Sequence, residues 1–141
     1  MIYKKSWKYI LIKDNSGLKL FRIKALKDFS NVSKNDIGGY IKGYHNLSQF
    51  GNCWIYDNAL VTDSAHVSEN AQISGNAVVK DNAEISGYAD IKDNARVFGV
   101  AQVSGNTQVY GNARVKNRAT IINNAWVREI DCRYRIFRKN F

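Results

Sequence analysis

From Ala59 to Ile130 the chain repeats a six-residue pattern of apolar and polar positions with no insertion or deletion. The first position is alanine in every unit from Ala59 to Ala125 except at Thr107. The third is Val or Ile throughout, from Val61 to Val127. One further unit, Cys53-Trp54-Ile55-Tyr56-Asp57-Asn58, fits upstream in the same phase. Positions one and three alternate with two and four, so one side of a short strand is apolar. A β-branched residue suits a pleated, half-buried surface, and alanine leaves room where the wall nears the axis. The fifth position is mostly Asp, Glu, Gly or Asn, and the sixth is often Asn. Such residues turn the chain, because Gly and Asn tolerate left-handed backbone angles. A strand and a turn every six residues cannot bury its apolar side alone, but stacked coils can. The pattern predicts a parallel β-helix.

The flanks break the pattern. Trp7 to Lys13 and Leu18 to Ala25 are apolar-rich stretches around Asp14-Asn15-Ser16-Gly17, which predicts a β-hairpin. Residues 28–52 are rich in Gly, Asn and Ser and read as irregular coil. The expected organisation is an N-terminal hairpin and lead-in cap over 1–52, a β-helix over 53–130, and a basic C-terminal cap with a short closing strand over 131–141. Caps are needed because an open β-helix end exposes unpaired edge groups.

The repeat resembles the hexapeptide repeat of left-handed β-helices, where three units make one triangular coil. The resemblance implies an all-β, left-handed parallel β-helix of about four to five coils. A more specific likeness lies in the lead-in. Asp28-Phe29, Val32, Gly38-Gly39-Tyr40-Ile41, Asn46-Leu47-Ser48-Gln49 and the run from Gly51 to Ala59 resemble the YdcK-like hexapeptide-repeat proteins, including their phage and prophage members. This likeness covers residues 20–130 and implies a mobile-element setting; it implies no reaction.

Charge separates the caps from the repeat. The net charge is +9, with +7 in residues 1–52, −1 in 53–130 and +3 in the tail. A basic balance suits an acidic partner. The two cysteines, Cys53 and Cys132, are too few for a disulfide scaffold or a Cys-based zinc site. The apolar run Tyr9 to Ile12 is too short for a signal-peptide core, and no stretch approaches a membrane span. The expectation is a soluble cytoplasmic protein, in the host cytoplasm if phage-encoded, with no membrane partner.

Candidate chemistry is sparse. Acyltransferases on this fold need a histidine, a projecting loop and a groove between subunits. Here His66 occupies a second position, His45 lies in the lead-in, and the unbroken phase leaves no extruded loop. A three-histidine zinc site cannot be assembled from two histidines. We therefore expect no catalytic residues, no metal and no cofactor, with a trimeric acyltransferase using His66 as the enzymatic alternative.

The outward positions carry the individuality. Residues eighteen apart should stack, which aligns Lys80, Arg96, Arg114 and Lys116 around Phe98 on one face. That basic face is a candidate site for phosphate, nucleic acid or an acidic protein. A second face aligns Trp54, Tyr56, Tyr110 and Trp126, which would serve as an aromatic contact surface or lie under the caps. Arg133, Arg135 and Arg138 in the tail form a third candidate. The expected partner is a host protein or protein–nucleic acid complex, with direct nucleic-acid binding and self-association through a flat face as alternatives. A structural or assembly role is the third reading.

Overall fold

The computed structural model describes residues 7–128, and the backbone of two further strands at Asp131–Cys132 and Arg135–Arg138. The chain opens with β1 (Tyr9–Lys13), β2 (Phe21–Ala25) and β3 (Ile37–Ile41). The solenoid continues with β4 (Trp54–Ile55), β5 (Leu60–Val61) and β6 (His66–Val67). Thereafter a strand recurs in each unit, beginning at its second and third positions.

Three walls result, each built from parallel strands. The first stacks β5 with Val78–Val79, Arg96–Val97 and Arg114–Val115. The second stacks β4 with Gln72–Ile73, Asp90–Ile91, Gln108–Tyr110 and Trp126–Arg128. The third stacks β6 with Glu84–Ile85, Gln102–Val103 and Thr120–Asn123. The Val or Ile at every third position is buried, and so is the small residue at every first position. Thr107, the exception to alanine, keeps its hydroxyl satisfied by donating to the Ser104 carbonyl at 2.6 Å.

The corners follow one rule. Every fifth-position residue from Asp57 to Asn123 has a positive φ, between 55° at Asp63 and 74° at Gly105. This left-handed conformation is cheap for Gly and tolerable for Asn and Asp. The acids there do a second job. The carboxylates of Asp57, Glu69 and Asp93 accept from the backbone N–H of Gly75, Gly87 and Gly111, one coil further on, all at 3.0 Å. Asp63 accepts likewise from Asp81 at 3.2 Å, and Asp81 from Gly99 at 2.9 Å.

The lead-in is more ordered than its composition suggests. β1 and β2 form the expected antiparallel hairpin, pairing Tyr9 with Ala25 and Lys13 with Phe21. Residues 37–41 are not irregular coil: β3 pairs antiparallel with β2 and parallel with β5. The first wall thereby extends into an eight-stranded sheet, while the other two have five strands each. Leu47 bridges Val67 in parallel, so Ile41, Leu47 and Ile55 begin the solenoid ahead of the regular repeat. The result is an all-β parallel solenoid of about five turns with an antiparallel hairpin at its start.

Glycines make this junction close. A Cβ on Gly38 would lie 2.5 Å from the Ile55 carbonyl oxygen, and one on Gly39 equally close to that of Ala59. Asn46 fills the turn beneath the third wall: its amide donates to the Ala65 and Asp63 carbonyls, and its Oδ1 accepts from Lys42 and Gly43. Gln49 ties β1 down, accepting from Lys8 N at 2.7 Å and donating to the Tyr9 carbonyl at 3.0 Å.

The tail adds two strands to the stack rather than one. Asp131–Cys132 pairs in parallel with Arg114–Val115, and Arg135–Arg138 with Thr120–Asn123. The spacing shortens there, because Val115 pairs with Cys132 and Ile121 with Ile136. That shortening takes the tail out of the six-residue phase.

Candidate functional site

The basic face forms as its spacing predicts. Parallel register aligns Tyr40, Leu60, Val78, Arg96 and Arg114 in one column. In the neighbouring column the Lys80 Nζ lies 5.5 Å from the Phe98 ring centre, and the Arg114 guanidinium 5.9 Å from it. A partly buried ring between two cations is a cation–π cluster, and each contact contributes about 0.5–1 kcal/mol at such exposure. Arg96 and Arg114, both exposed, also line a shallow groove with Asn94 and Asn112. The fifth-position acids Asp81 and Asp93 accept hydrogen bonds from the backbone N–H groups of Gly99 and Gly111 at the corners. No acid stands in the column until Asp131, at the register position beyond Arg114. Lys116 occupies the fourth position of the last regular coil on this wall.

The cap adds to this sheet a cation that the sequence reading missed. Arg22 on β2 stacks over the Tyr40 ring at 4.1 Å. It donates to the Tyr40 hydroxyl at 2.7 Å, the Gly38 carbonyl at 2.9 Å and Asn58 Oδ1 at 2.8 Å. The available signal was the six-residue step from Ile41 to Leu47, which places Tyr40 on an outward position.

The aromatic face does not assemble as one surface. Trp54 is buried, edge-on to both Phe29 and Tyr9, so the lead-in covers it. Burial under a cap is thus the outcome for Trp54. Trp126 takes the opposite outcome and is 64% exposed. Tyr56 is partly buried, with its phenol pushed up by burial and then by the charge of Asp90. Tyr110 lies beneath Lys92, 5.8 Å from its ammonium.

Arg133 lies outside the described residues, and of Arg135 and Arg138 the backbone alone is placed. The two histidines are joined. His66 Nδ1 lies 2.7 Å from the His45 carbonyl, and His45 Nε2 the same distance from the Asp63 carbonyl. A carbonyl only accepts, so both ring nitrogens must donate, which leaves Nε2 of neutral His66 as an acceptor. Among the described residues no three His, Cys, Asp or Glu side chains are grouped to hold a metal ion. No helix among them is long and apolar enough to cross a membrane.

The base of the solenoid holds a buried amine. The Lys8 ammonium group donates to the Cys53 carbonyl at 2.7 Å and sits 3.2 Å from the Cys53 thiol. Burial lowers the Lys8 pKa and raises that of Cys53.

Stacked strands, left-handed corners and an invariant Val/Ile position define the class: this is a hexapeptide-repeat β-solenoid. The YdcK β-solenoid repeat matches residues 55–69 and 71–87, the first regular turns beyond the lead-in. No curated protein matches the chain.

Proposed function

We propose that this chain is a non-catalytic binding scaffold that docks an acidic macromolecule on its first wall. The observation that carries the reading is Phe98 held between Lys80 and Arg114, with Arg96 beside Arg114 on the same rigid sheet. A ring flanked by cations offers both a stacking surface and charge, which suits a base with its phosphate or an acidic protein loop. Parallel register fixes the backbone that carries these side chains before binding, which lowers the ordering cost. In the mobile-element setting that the lead-in likeness implies, the partner is a host protein or protein–nucleic acid complex, such as a defence factor.

The test is a pull-down from host lysate with and without nuclease treatment, using the native chain and the Arg96→Glu plus Arg114→Glu variant. Capture of one defined complex by the native chain alone supports the reading. Equal capture by the variant overturns it. Nuclease sensitivity would place the contact on nucleic acid and nuclease resistance on protein. The acyltransferase alternative rests on the free acceptor nitrogen of His66. It requires an acyl donor to raise the melting temperature and His66→Ala to abolish transfer.

A further inference from the structure

At the corner where the first wall begins, Asn94, Arg96, Asn112 and Arg114 line a groove of about 400 Å³. Asn94 and Arg96 come from one coil, and Asn112 and Arg114 from the same positions of the next. Parallel pairing sets Arg96 beside Arg114, so their backbones lie one strand layer apart, about 4.8 Å. Both side chains are exposed. Among the described residues no carboxylate pairs with either guanidinium. The charge is local to this wall. Lys80 and Lys116 stand in the neighbouring outward column, and neither column holds an acid from Leu60 to Lys116. Two acids border the groove. Asp93, next to Asn94, accepts from the Gly111 N–H at 3.0 Å, and Asp131 occupies the register position beyond Arg114.

Like charges on adjacent strands repel. An anion between them turns that repulsion into two attractions, and the donors present select the anion. Each guanidinium offers five N–H donors in a planar fork and accepts nothing. Each asparagine amide adds two N–H donors and can turn that end toward the groove. A carboxylate brings one charge and two oxygens on one edge. A phosphodiester also brings one charge and two unesterified oxygens. A phosphate monoester brings three such oxygens and close to two charges at neutral pH. It therefore balances two guanidiniums and keeps an oxygen for an asparagine amide. We infer that this groove is a site for a phosphate monoester dianion, held between Arg96 and Arg114 with Asn94 and Asn112 donating at its rim. The inference rests on the reading of the first wall as a surface for acidic partners. It narrows the recognised group to a phosphate, either free or at the end of a nucleic-acid strand.

The test follows backbone amide resonances of the full chain in chloride buffer at about pH 8 and constant ionic strength, where inorganic phosphate is mainly the dianion. Phosphate should give saturable shifts centred on Asn94 to Val97 and Asn112 to Val115, in the millimolar range. Acetate and dimethyl phosphate, with one charge each, should bind at least about tenfold more weakly. Arg96→Gln should weaken phosphate binding about tenfold. Because Arg96 is exposed, its melting temperature in chloride should hold, so lost binding is not lost fold. Lys80→Gln removes the same charge outside the groove and should weaken binding about twofold at most. Shifts that do not saturate, lie elsewhere, appear equally with acetate, or fall as much in Lys80→Gln as in Arg96→Gln would overturn the assignment. A single-stranded oligonucleotide with a 5′-phosphate separates the two sources. Tighter binding than its 5′-hydroxyl twin places the phosphate on a strand end, and equal binding beside saturable phosphate shifts places it on a small molecule. If the 5′-hydroxyl strand binds the native chain but not the Arg96→Glu plus Arg114→Glu variant, while phosphate shifts nothing, the wall reading stands and this one falls. If neither phosphate nor either strand binds, this assignment falls together with the nucleic-acid form of the wall reading.

Discussion

At the residue scale the corners and the walls obey different rules. The fifth position is a backbone problem first. Gly87 has φ 65°, and a Cβ there would lie 2.7 Å from the Gly105 nitrogen. Gly87→Ala should destabilise by about 1–2 kcal/mol, measured by urea denaturation. Gly87→Asn should cost less, because Asn tolerates the conformation and can reach the next backbone N–H as the acids do. Equal costs for Ala and Asn would show that side-chain bonding between corners contributes nothing. Asp90 presents the reverse case, a residue that weakens the fold. Burial raises its pKa above the ordinary aspartate value of 3.8. Between 3.8 and the raised value the folded chain binds more protons, so this group makes stability fall as pH rises through that window. Asp90→Asn should therefore gain stability relative to the native chain as pH is raised from below 3.8 to neutral, read as a growing difference in melting temperature. A difference independent of pH would refute the assignment of that cost to Asp90.

At the scale of elements, legibility tracked periodicity. Twelve Val/Ile positions in fixed phase made the walls readable from the sequence, and their spacing put Lys80, Phe98 and Arg114 together. The same logic failed at both ends for one physical reason. β3 and the tail strands belong to the solenoid but leave its phase: Ile41 pairs with Val61 and Cys132 with Val115, so neither keeps the eighteen-residue step. β3 was hidden further by Gly38 and Gly39, part of the Gly, Asn and Ser content that made residues 28–52 read as irregular coil. Their small size is what the junction requires, since the hairpin layer rests directly on the first coil there. Gly39→Ala should cost about 2–3 kcal/mol through overpacking. It should also increase the fluorescence change of Trp54 on adding a neutral quencher, because the lead-in that covers this ring would lift. Quenching unchanged at an unchanged melting temperature would mean that the cap does not depend on this contact. Trp54 itself shows why side-chain type misled: an outward column position is exposed only where nothing lies above it, and that is set by the lead-in rather than the repeat.

At the scale of the molecule, a solenoid is a one-dimensional stack whose ends decide its solubility. The start is sealed by antiparallel strands and by Lys8, whose ammonium supplies donors to the carbonyls of Gly51 and Cys53. At the far end the tail contributes two strands. Asp131–Cys132 and Arg135–Arg138 cover the strands Arg114–Val115 and Thr120–Asn123, whose outer edges would otherwise present unpaired N–H and C=O groups. Such edges template pairing with a second chain. Removing residues 131–141 should therefore leave the lower coils folded, because each coil's stability is set mainly by its neighbours. The truncated chain should nonetheless associate end to end, with a mass by light scattering that grows with concentration, while the native chain's mass does not grow in this way. Adding the Arg96→Glu plus Arg114→Glu changes should not suppress that association, because it uses backbone edges rather than the basic wall. If it did suppress it, the contact would be a face and not an end. If the truncated chain stayed at the native mass at all concentrations, the two tail strands would not be what closes the stack.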